Sequence, residues 1–377
     1  MATAPATGRA RTLRKAAVPV RSQNDIYLDT VAAVPPESAY KRYVNRRVDG
    51  VLDFDILTAA YEDGDNVLVS GPTGPGKTTF VRAWAAKNGK RFYVVPSNAG
   101  IDPTQMIGRR VMDEDGKWVF QYGPVALVAK YGGVLLINEI GFLPDRVAAT
   151  LYGLMDTGRS LPIMDNSEVI DVHRPTRQVT SKISVPCWCD DPDGDECRSK
   201  WVLIVGDMNP DYRGVRPLSE AFANRFAVKL DWDYDSDVEK KLIESSSLRE
   251  MAGKLRLAVK MRTFSTPVST NALMDFERQL LRFGSQRAVA NFCNAFPMTE
   301  RTSVKAVVDT YIGNIESELA VDDEPETPPR DSLPDFTKMT EDEKADWRRT
   351  LKDGDVDPEW GICGVDWIFG EDEEDDA

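Results

Sequence analysis

The sequence predicts an α/β fold with a parallel five-stranded sheet, followed by a small α-helical domain and an acidic C-terminal tail. Three observations support this prediction. Short apolar segments alternate with helical segments between Leu52 and Trp232, and a glycine-rich loop follows the first of those apolar segments. After Trp232 the apolar residues recur only at the spacing of a helix. Because continuous apolar runs suit parallel strands covered on both faces, we expect a doubly wound sheet.

The predicted strands are short apolar runs. They lie at Asn66–Ser70, Phe92–Val95, Val134–Ile137, Trp201–Gly206 and Ala227–Trp232. Two segments interrupt their alternation with helices. Val111–Phe120 is predicted to form a hairpin, with Asp115-Gly116 as its turn. The segment from Ser160 to Lys200 is too long for an ordinary loop, and Glu168–Val172 within it has the character of a strand.

Helices dominate the predicted second domain. Asp237–Met251 and Thr270–Phe283 carry apolar residues at helical spacing, and Gly284 is a plausible stop for the second of them. Thr302–Ile312 predicts a further helix. From Val321 onward proline and acidic residues dominate, which indicates a largely disordered tail.

The 377 residues of the chain are enough for two domains and a tail. We divide them into a basic N-terminal arm, an α/β nucleotide-binding domain, a helical lid domain and an acidic tail, at 1–35, 36–234, 235–320 and 321–377. Organelle transit peptides share the basic bias of the first residues, but a disordered arm explains it more simply. Five scattered cysteines and the lack of an apolar membrane-spanning run predict a cytoplasmic protein.

The net charge of −14 is concentrated at the C-terminal end of the chain. Residues 321–377 hold 21 acidic and 6 basic side chains, and the remainder holds 40 acidic and 41 basic ones. A nearly neutral body offers no electrostatic footprint for a polyanion, so nucleic acid is an unlikely partner.

The glycine-rich loop has the complete pattern G-x-x-x-x-G-K-[ST], and its residues are Gly71, Pro72, Thr73, Gly74, Pro75, Gly76, Lys77 and Thr78. A buried strand precedes the loop and a helix from Thr79 to Lys87 follows it, which is the context that a phosphate loop requires. The backbone N–H groups of such a loop surround phosphates at a helix N-terminus. We therefore predict that the loop and Thr79 bind nucleotide, that Lys77 reaches the β- and γ-phosphates and that Thr78 binds Mg²⁺.

The strand Val134–Ile137 ends in Asn138-Glu139. Phosphate-loop enzymes need acidic groups at this place, one to hold Mg²⁺ and one to orient the attacking water. Glu139 suits the water-activating role, although it could also merely cap the strand. Asn138 is a departure, because an amide oxygen can contact the hydrated metal but brings no charge.

Two further polar residues lie at the ends of predicted elements, one after a strand and one at the end of a helix. Asn209 comes after the strand Trp201–Gly206 and could bind the γ-phosphate or its water, or simply form a turn with Pro210. Leu218–Phe226 predicts a short helix that ends at Arg225. Alone, such an arginine is usually a solvated cation at a helix end.

Together these segments resemble the AAA+ ATPases, and in particular the MoxR and CobS-like (dynein-related) branch of that family. The resemblance covers Val51 to Ile312. Its motifs are Walker A at Gly71–Thr78, Walker B at Leu135–Ile140, sensor 1 at Met208–Pro210, Ala223-Asn224-Arg225-Phe226, and a sensor 2 segment at Gly284–Ala288. The hairpin at Val111–Phe120 falls where this branch has its helix-2 insert, and Ser160–Lys200 contains the place of its pre-sensor-1 hairpin.

The resemblance implies a ring, commonly a hexamer, that binds ATP and Mg²⁺ between subunits. It makes Glu139, Asn209, Arg225 and Arg287 the catalytic residues, with Arg225 reaching a neighbour's γ-phosphate and Arg287 sensing nucleotide from the lid. Family members act as chaperone-like remodelling ATPases on protein clients, or help to insert metals and cofactors, often beside a partner with a von Willebrand factor A domain.

Two alternative functions stay open at this point. A nucleic-acid motor on the same fold would need a basic pore or an added DNA-binding domain. A nucleotide-gated scaffold that binds ATP without useful turnover is kept open by Asn138, since that residue weakens the metal site.

Cys187, Cys189 and Cys197 lie in an acidic stretch of the second interrupting segment. Three thiolates could bind zinc with one outside ligand. Their spacing matches no standard zinc knuckle, and His173 is some distance away along the chain. The sequence therefore favours reduced cysteines in an exposed insert, with a zinc site as the alternative.

Overall fold

The computed structural model describes residues 32–113, 115–156, 158–175, 187, 189, 191, 194–210 and 214–319. The predictions for most of the N-terminal arm and for the acidic tail fall outside these residues, and the four-part domain division stays a prediction. Among the described residues, no helix combines the length and the apolar character needed to cross a membrane.

The centre of the fold is a parallel five-stranded sheet, which confirms the predicted fold class. In chain order, the strands are β1 (Arg47–Val48), β2 (Val51–Leu52), β3 (Val67–Ser70), β4 (Phe92–Pro96), β5 (Gly108–Met112), β6 (Trp118–Tyr122), β7 (Gly133–Asn138), β8 (Ser160–Ile163), β9 (Glu168–Asp171), β10 (Val202–Met208) and β11 (Val228–Asp231). The central sheet has the order β11-β3-β10-β7-β4, and each of its strands lies within two residues of a predicted one.

Helices cover both faces of this sheet. After β11 the described residues form only helices with an apolar core of their own, and we call this part the helical domain. In chain order, the helices are α1 (Ser38–Lys41), α2 (Asp53–Asp63), α3 (Lys77–Lys87), α4 (Pro103–Ile107), α5 (Pro124–Tyr131), α6 (Asp145–Ala148), α7 (Tyr152–Met155), α8 (Asp195–Ser199), α9 (Glu220–Ala223), α10 (Ser236–Leu242), α11 (Ser246–Lys260), α12 (Thr270–Phe283), α13 (Ser285–Asn294) and α14 (Met298–Glu318). Short 3₁₀ turns occur at Ile140–Phe142, Ala149–Leu151 and Met164–Asn166.

Each face of the central sheet has its own apolar core. On one face, α2 and α3 bury large aromatic side chains, among them Phe80, Trp84 and Trp232. On the other face, α5 and the segment after β7 pack against Leu135 and Ile137. Burial of each such side chain contributes about 1.5–3 kcal/mol. The alternation of strand residues between two buried faces explains why the strands read as continuous apolar runs.

The two interrupting segments each contain an antiparallel hairpin. β5 pairs with β6, which confirms the hairpin predicted at Val111–Phe120 and extends it at both ends. β8 pairs with β9, and β9 contains most of the predicted strand Glu168–Val172. Both hairpins lie outside the central sheet.

The prediction of one helix over Asp237–Met251 is wrong, because the chain forms α10 and α11 there. Ile243 between them has extended backbone dihedral angles. The Ser245 side chain accepts a hydrogen bond from the Leu248 N–H and so caps α11. Serine side chains compete with helical hydrogen bonds and favour caps, which explains the break.

Two other helix predictions can be compared with the structure. The predicted helix over Leu218–Phe226 shortens to α9, since Ser219 lies in extended backbone and caps it by accepting from the Phe222 N–H. The prediction for Thr270–Phe283 is confirmed at both ends, with Gly284 at a φ of 77°. The helix predicted at Thr302–Ile312 is part of α14.

A buried ion pair holds the helical domain together near the sheet. The Arg256 guanidinium donates to both carboxylate oxygens of Glu239, at 2.8 and 2.7 Å, and Thr270 donates to the same carboxylate at 2.7 Å. The Arg256 guanidinium also lies 3.7 Å from the centre of the Tyr234 ring. Tyr234 in turn donates to the Thr73 carbonyl at 2.8 Å, so this network joins the helical domain to the phosphate loop.

Replacing Glu239 with alanine should destabilise the protein by about 3–5 kcal/mol, because it leaves the Arg256 charge buried without its partner. The side chains of Arg256 and Glu239 are only 14% and 6% exposed. Lys240→Ala is the matched control, since Lys240 pairs with Asp237 on the surface and should change the free energy of unfolding by less than about 0.5 kcal/mol. Denaturant unfolding of both variants measures this, and equal losses would contradict the assignment.

Candidate functional site

The phosphate loop runs from the end of β3 to the start of α3, at the edge of the sheet where the parallel strands end. Gly74 and Gly76 have φ angles of 81° and 91°, a backbone conformation that residues with a Cβ atom rarely adopt. Gly74 also packs closely against Ser269, the residue that caps α12, so a side chain there would collide with the helical domain. The glycine pattern therefore reflects both the loop conformation and its contact with the second domain.

The loop is fixed from its outer side by two residues that the sequence motif does not contain. Arg46 donates to the Pro75 carbonyl at 2.8 Å, and the Trp232 indole donates to the same oxygen at 3.1 Å. The Arg46 guanidinium lies 4.3 Å from the centre of the Trp232 ring, which adds a cation–π contact. Sequence reasoning missed Arg46, because nothing in the local pattern predicts that this segment returns to the loop.

Lys77 is the first residue of α3 and is 6% exposed. Its ammonium donates to the carbonyls of Gly71 and Pro72, at 2.8 and 2.6 Å, so it lies across the loop. Burial lowers the pKa of Lys77, while the nearby charges of Asp207 and Glu139 act in the opposite direction. The lysine predicted to reach the phosphates is thus placed within the loop and close to two carboxylates.

A buried carboxylate, Asp207, lies next to the predicted metal ligands. Its side-chain oxygens are 3.5 Å from the Thr78 hydroxyl and 2.7 Å from the Glu139 backbone N–H, which donates to it. In the amide orientation that satisfies both groups, the Asn138 nitrogen donates to the two carboxylate oxygens of Asp207 at 3.2 and 3.1 Å. Thr78, Asn138 and Asp207 therefore form one polar cluster beside the phosphate loop.

The sheet register explains why Asp207 reaches this cluster. β10 lies between β3 and β7, with Gly206 opposite Ile137, so Asp207 and Asn138 are at the same level on adjacent parallel strands. Burial raises the pKa of Asp207, while the hydrogen bond from the Glu139 N–H and the charge of Lys77 oppose this effect. Sequence reasoning missed Asp207; the available signal was a carboxylate at the end of a continuous apolar strand.

Glu139, the residue after Asn138, has a left-handed backbone conformation with φ 55° and ψ 48°. This conformation is uncommon for a residue with a Cβ and is often found at functional sites. One carboxylate oxygen, Oε2, is buried and accepts no hydrogen bond from the described residues. A buried acceptor of this kind suits a group that binds a water molecule or a substrate.

Asn209 is 4% exposed and directly follows β10. Its amide nitrogen donates to the Thr73 hydroxyl at 3.0 Å. The structure therefore brings Asn209 to the phosphate loop, beside the predicted nucleotide-binding residues. Its contact with a loop side chain is more than a simple Asn-Pro turn would require.

Among the described residues, neither Arg225 nor Arg287 contacts the cluster formed by Thr78, Asn138 and Asp207. The Arg225 guanidinium pairs with Asp156 at 2.9 Å, donates to the Ala221 carbonyl at 2.6 Å and lies 3.9 Å from the centre of the Tyr152 ring. Arg287 is an exposed residue in the first turn of α13. The catalytic roles of both arginines, like those of the other site residues, stay predictions.

His173 and three cysteines lie together, contrary to the expectation from the sequence. The His173 Nδ1 atom is 3.2 Å from the Cys197 sulfur, and Cys187 and Cys197 are buried at 5% and 3% exposure. The expectation of an exposed insert is wrong, because Cys187 and Cys197 pack into the apolar core. The distance of His173 along the chain is likewise no obstacle, because the fold places this residue beside Cys197 of α8.

Comparison with known proteins shows which proteins the α/β part of the chain is similar to. Residues 66–226 match the model of the AAA domain of the dynein-related subfamily. Protein CbbQ of Hydrogenophilus thermoluteolus is 28% identical over 198 residues, which cover 52% of this chain and 63% of CbbQ. The denitrification regulatory protein NirQ of Stutzerimonas stutzeri is 23% identical over 297 residues, which cover 76% of this chain and 95% of NirQ.

Among solved structures, NtrX of Brucella abortus in complex with ADP aligns with 73% of this chain and 50% of its own, at 13% identity and a TM-score of 0.35. The chain spans less than two thirds of the length of CbbQ. The predicted resemblance to AAA+ proteins is confirmed at the level of the domain, and a domain of this class implies nucleotide binding. Residues 66–226 of this chain are therefore similar to the AAA domains of the dynein-related subfamily.

Proposed function

We propose that the chain is a MoxR-like AAA+ ATPase that binds ATP with Mg²⁺ at the phosphate loop and hydrolyses it. The position of Asp207 carries this proposal. Asn138 removes the usual carboxylate from the end of β7, but Asp207 places a carboxylate at the same level on the adjacent strand, 3.5 Å from the Thr78 hydroxyl. The charge that a magnesium site needs is therefore available from a neighbouring strand.

The donor set around Thr78 fits Mg²⁺. A hydroxyl and a carboxylate are hard oxygen ligands, and Mg²⁺ in nucleotide sites is held by one or two such groups together with phosphates and water. We assign Thr78 and Asp207 as the residues that would hold the ion, directly or through its water, with Asn138 beside them. The bound ion would neutralise charge on the β- and γ-phosphates.

The remaining groups suit in-line attack of water on the γ-phosphorus. Glu139 would take a proton from the water through its unpartnered Oε2. The bond from the γ-phosphorus to the bridging oxygen would break, releasing ADP and phosphate. Lys77 would stabilise charge on the phosphates, and Asn209, fixed against Thr73, would orient the water.

The proposal includes a ring, because an AAA domain of this kind commonly receives an arginine from the next subunit. In this chain Arg225 is half-buried against Asp156 and Tyr152, which would hold its guanidinium in a defined place at the surface. A hexamer that remodels a protein client, with a partner containing a von Willebrand factor A domain and in the cytoplasm, remains our proposal for the biological setting.

The scaffold without turnover is the second candidate function, and Asn138 is the observation that favours it. The two candidates differ in one property, since the scaffold would bind ATP and release no phosphate. Variants of Lys77, Asp207 and Glu139 distinguish the two candidates, because these variants separate nucleotide binding from hydrolysis.

Lys77→Ala should abolish ATP binding, because it removes the ammonium that lies within the loop, whereas Arg46 holds the loop from its outer side. Lys87→Ala, at the exposed far end of the same helix, is the matched control and should bind ATP as the wild type does. Titration with a fluorescent ATP analogue measures both. Unchanged affinity in Lys77→Ala would overturn the site.

Asp207→Asn should lower Mg²⁺-dependent hydrolysis by about 10–100-fold while ATP still binds. Asn138→Asp alone should not increase the rate, because two carboxylates about 3 Å apart cannot both stay ionised. The double variant Asn138→Asp/Asp207→Asn should recover activity, since it moves the one carboxylate back to β7.

A phosphate-release assay over a Mg²⁺ series tests this exchange, with Asp171→Asn at the exposed end of β9 as the control. Glu139→Gln should bind ATP without hydrolysing it. Wild-type turnover equal to that of Glu139→Gln would favour the scaffold. Full activity in Asp207→Asn would remove Asp207 from the metal site.

Arg225→Ala should bind ATP normally and lose about 10³–10⁵ in hydrolysis rate, as expected for an arginine finger. Mixing it with Lys77→Ala subunits should restore part of the activity, because some interfaces then pair an intact pocket with an intact arginine. Arg278→Ala, an exposed arginine of the helical domain, is the control. If subunits exchange and no activity returns, Arg225 acts within its own chain or serves the fold.

A further inference from the structure

A second polar cluster lies outside the nucleotide site, before the start of β10. It consists of His173, Cys187, Cys189 and Cys197, and we call it the thiol cluster. One ligand atom from each residue, the histidine nitrogen or the cysteine sulfur, lies within 4.8 Å of all the others. His173 follows β9, and Cys197 is in α8, so two elements that flank the long segment before β10 meet here.

The distances within the thiol cluster are close to those of a tetrahedral zinc site. Zn–S bonds of about 2.3 Å and Zn–N bonds of about 2.0–2.1 Å give tetrahedron edges of about 3.8 Å between sulfurs and about 3.6 Å between sulfur and nitrogen. The observed sulfur separations are 3.3 Å for Cys189 to Cys187 and 3.6 Å for Cys197 to Cys187. The His173 Nδ1 atom is 3.2 Å from Cys197 and 3.9 Å from Cys187.

Neither a disulfide nor ordinary apolar packing accounts for the thiol cluster. A disulfide needs sulfurs at about 2.05 Å, and the cysteines are free. Apolar packing is enough for an isolated buried cysteine such as Cys293, which lies among the apolar residues of the helical domain. It gives no reason for three sulfurs and an imidazole nitrogen to converge on one point.

We propose that the thiol cluster binds one Zn²⁺ ion as a structural site with three cysteine ligands and one histidine ligand. Four protein ligands complete the tetrahedral shell and leave no open position, which distinguishes structural from catalytic zinc. The three thiols lose their protons to solvent when the metal binds. Spacing alone did not reveal the site, since the histidine ligand comes 14 residues before the first cysteine.

The position of the thiol cluster indicates what the metal does. Cys187 and Cys197 pack into the apolar core that contains Trp84, Trp201 and Leu203, just before β10 begins. The Tyr61 hydroxyl donates to the carbonyl of Arg198, the residue after Cys197, at 2.9 Å. The zinc would thus attach the segment before β10 to the domain core and fix the start of the strand whose other end carries Asp207.

Metal analysis of the full-length protein, purified under reducing conditions without chelator, tests the proposal. We expect about one zinc per chain in the wild type and in Cys293→Ser, which removes a buried cysteine outside the cluster. Cys187→Ser/Cys197→Ser should lose nearly all of the zinc. His173→Cys should keep it, because a fourth thiolate can replace the imidazole.

Cobalt substitution keeps the test independent of how the variants fold. Wild-type protein with Co²⁺ in place of zinc should show the charge-transfer bands of cobalt–thiolate bonds and the intense d–d bands of tetrahedral geometry, and added Zn²⁺ should abolish both. Zinc content in the wild type no higher than in Cys187→Ser/Cys197→Ser, or a wild-type cobalt spectrum of six-coordinate metal, would overturn the proposal. Fewer than five free thiols in the denatured, unreduced protein would also overturn it, by indicating a disulfide.

Discussion

A carboxylate at the carboxyl edge of the sheet, buried to 3% exposure, is the constraint on which the site depends. A buried charge is costly unless other groups compensate it. The Asp207 carboxylate accepts hydrogen bonds from the Glu139 N–H and the Asn138 amide, and it lies near Lys77 and the Thr78 hydroxyl. These groups come from the phosphate loop, which follows β3, and from the end of β7, so the parallel register of β3, β10 and β7 brings them to Asp207. Under our proposal, a magnesium ion would add a further positive charge beside this carboxylate.

The phosphate loop is held between two regions that the motif does not include. On one side, Arg46 and Trp232 bind the Pro75 carbonyl. On the other side, the helical domain reaches the loop through Tyr234, which donates to the Thr73 carbonyl. The Tyr234 ring stacks against Arg256, whose charge is fixed by Glu239. A change of the loop on nucleotide binding would therefore act on the helical domain through a short path of hydrogen bonds and one cation–π contact, which is the coupling that our proposed remodelling function requires.

The sequence was sufficient to predict those elements whose structure is determined by local patterns. The five strands of the central sheet, the phosphate loop and α12 followed from apolar runs, glycine positions and helical spacing. The errors and omissions have a different origin. Asp207 and His173 lie beside partners that are distant in sequence. The strand register aligns Asp207 with Asn138, and the fold places His173 next to Cys197. The break between α10 and α11 was missed because apolar spacing outweighed the serine run that favours a cap.

The most direct test of this account is a high-resolution structure of Glu139→Gln bound to ATP with Mn²⁺ in place of Mg²⁺, with the metal located by its anomalous scattering. The account predicts that the ion contacts the Thr78 hydroxyl and the β- and γ-phosphates. It also predicts that an Asp207 carboxylate oxygen binds the ion directly or through one of its water ligands. A metal held by Asn138 and the phosphates, with Asp207 outside hydrogen-bonding reach of its water shell, would contradict the account.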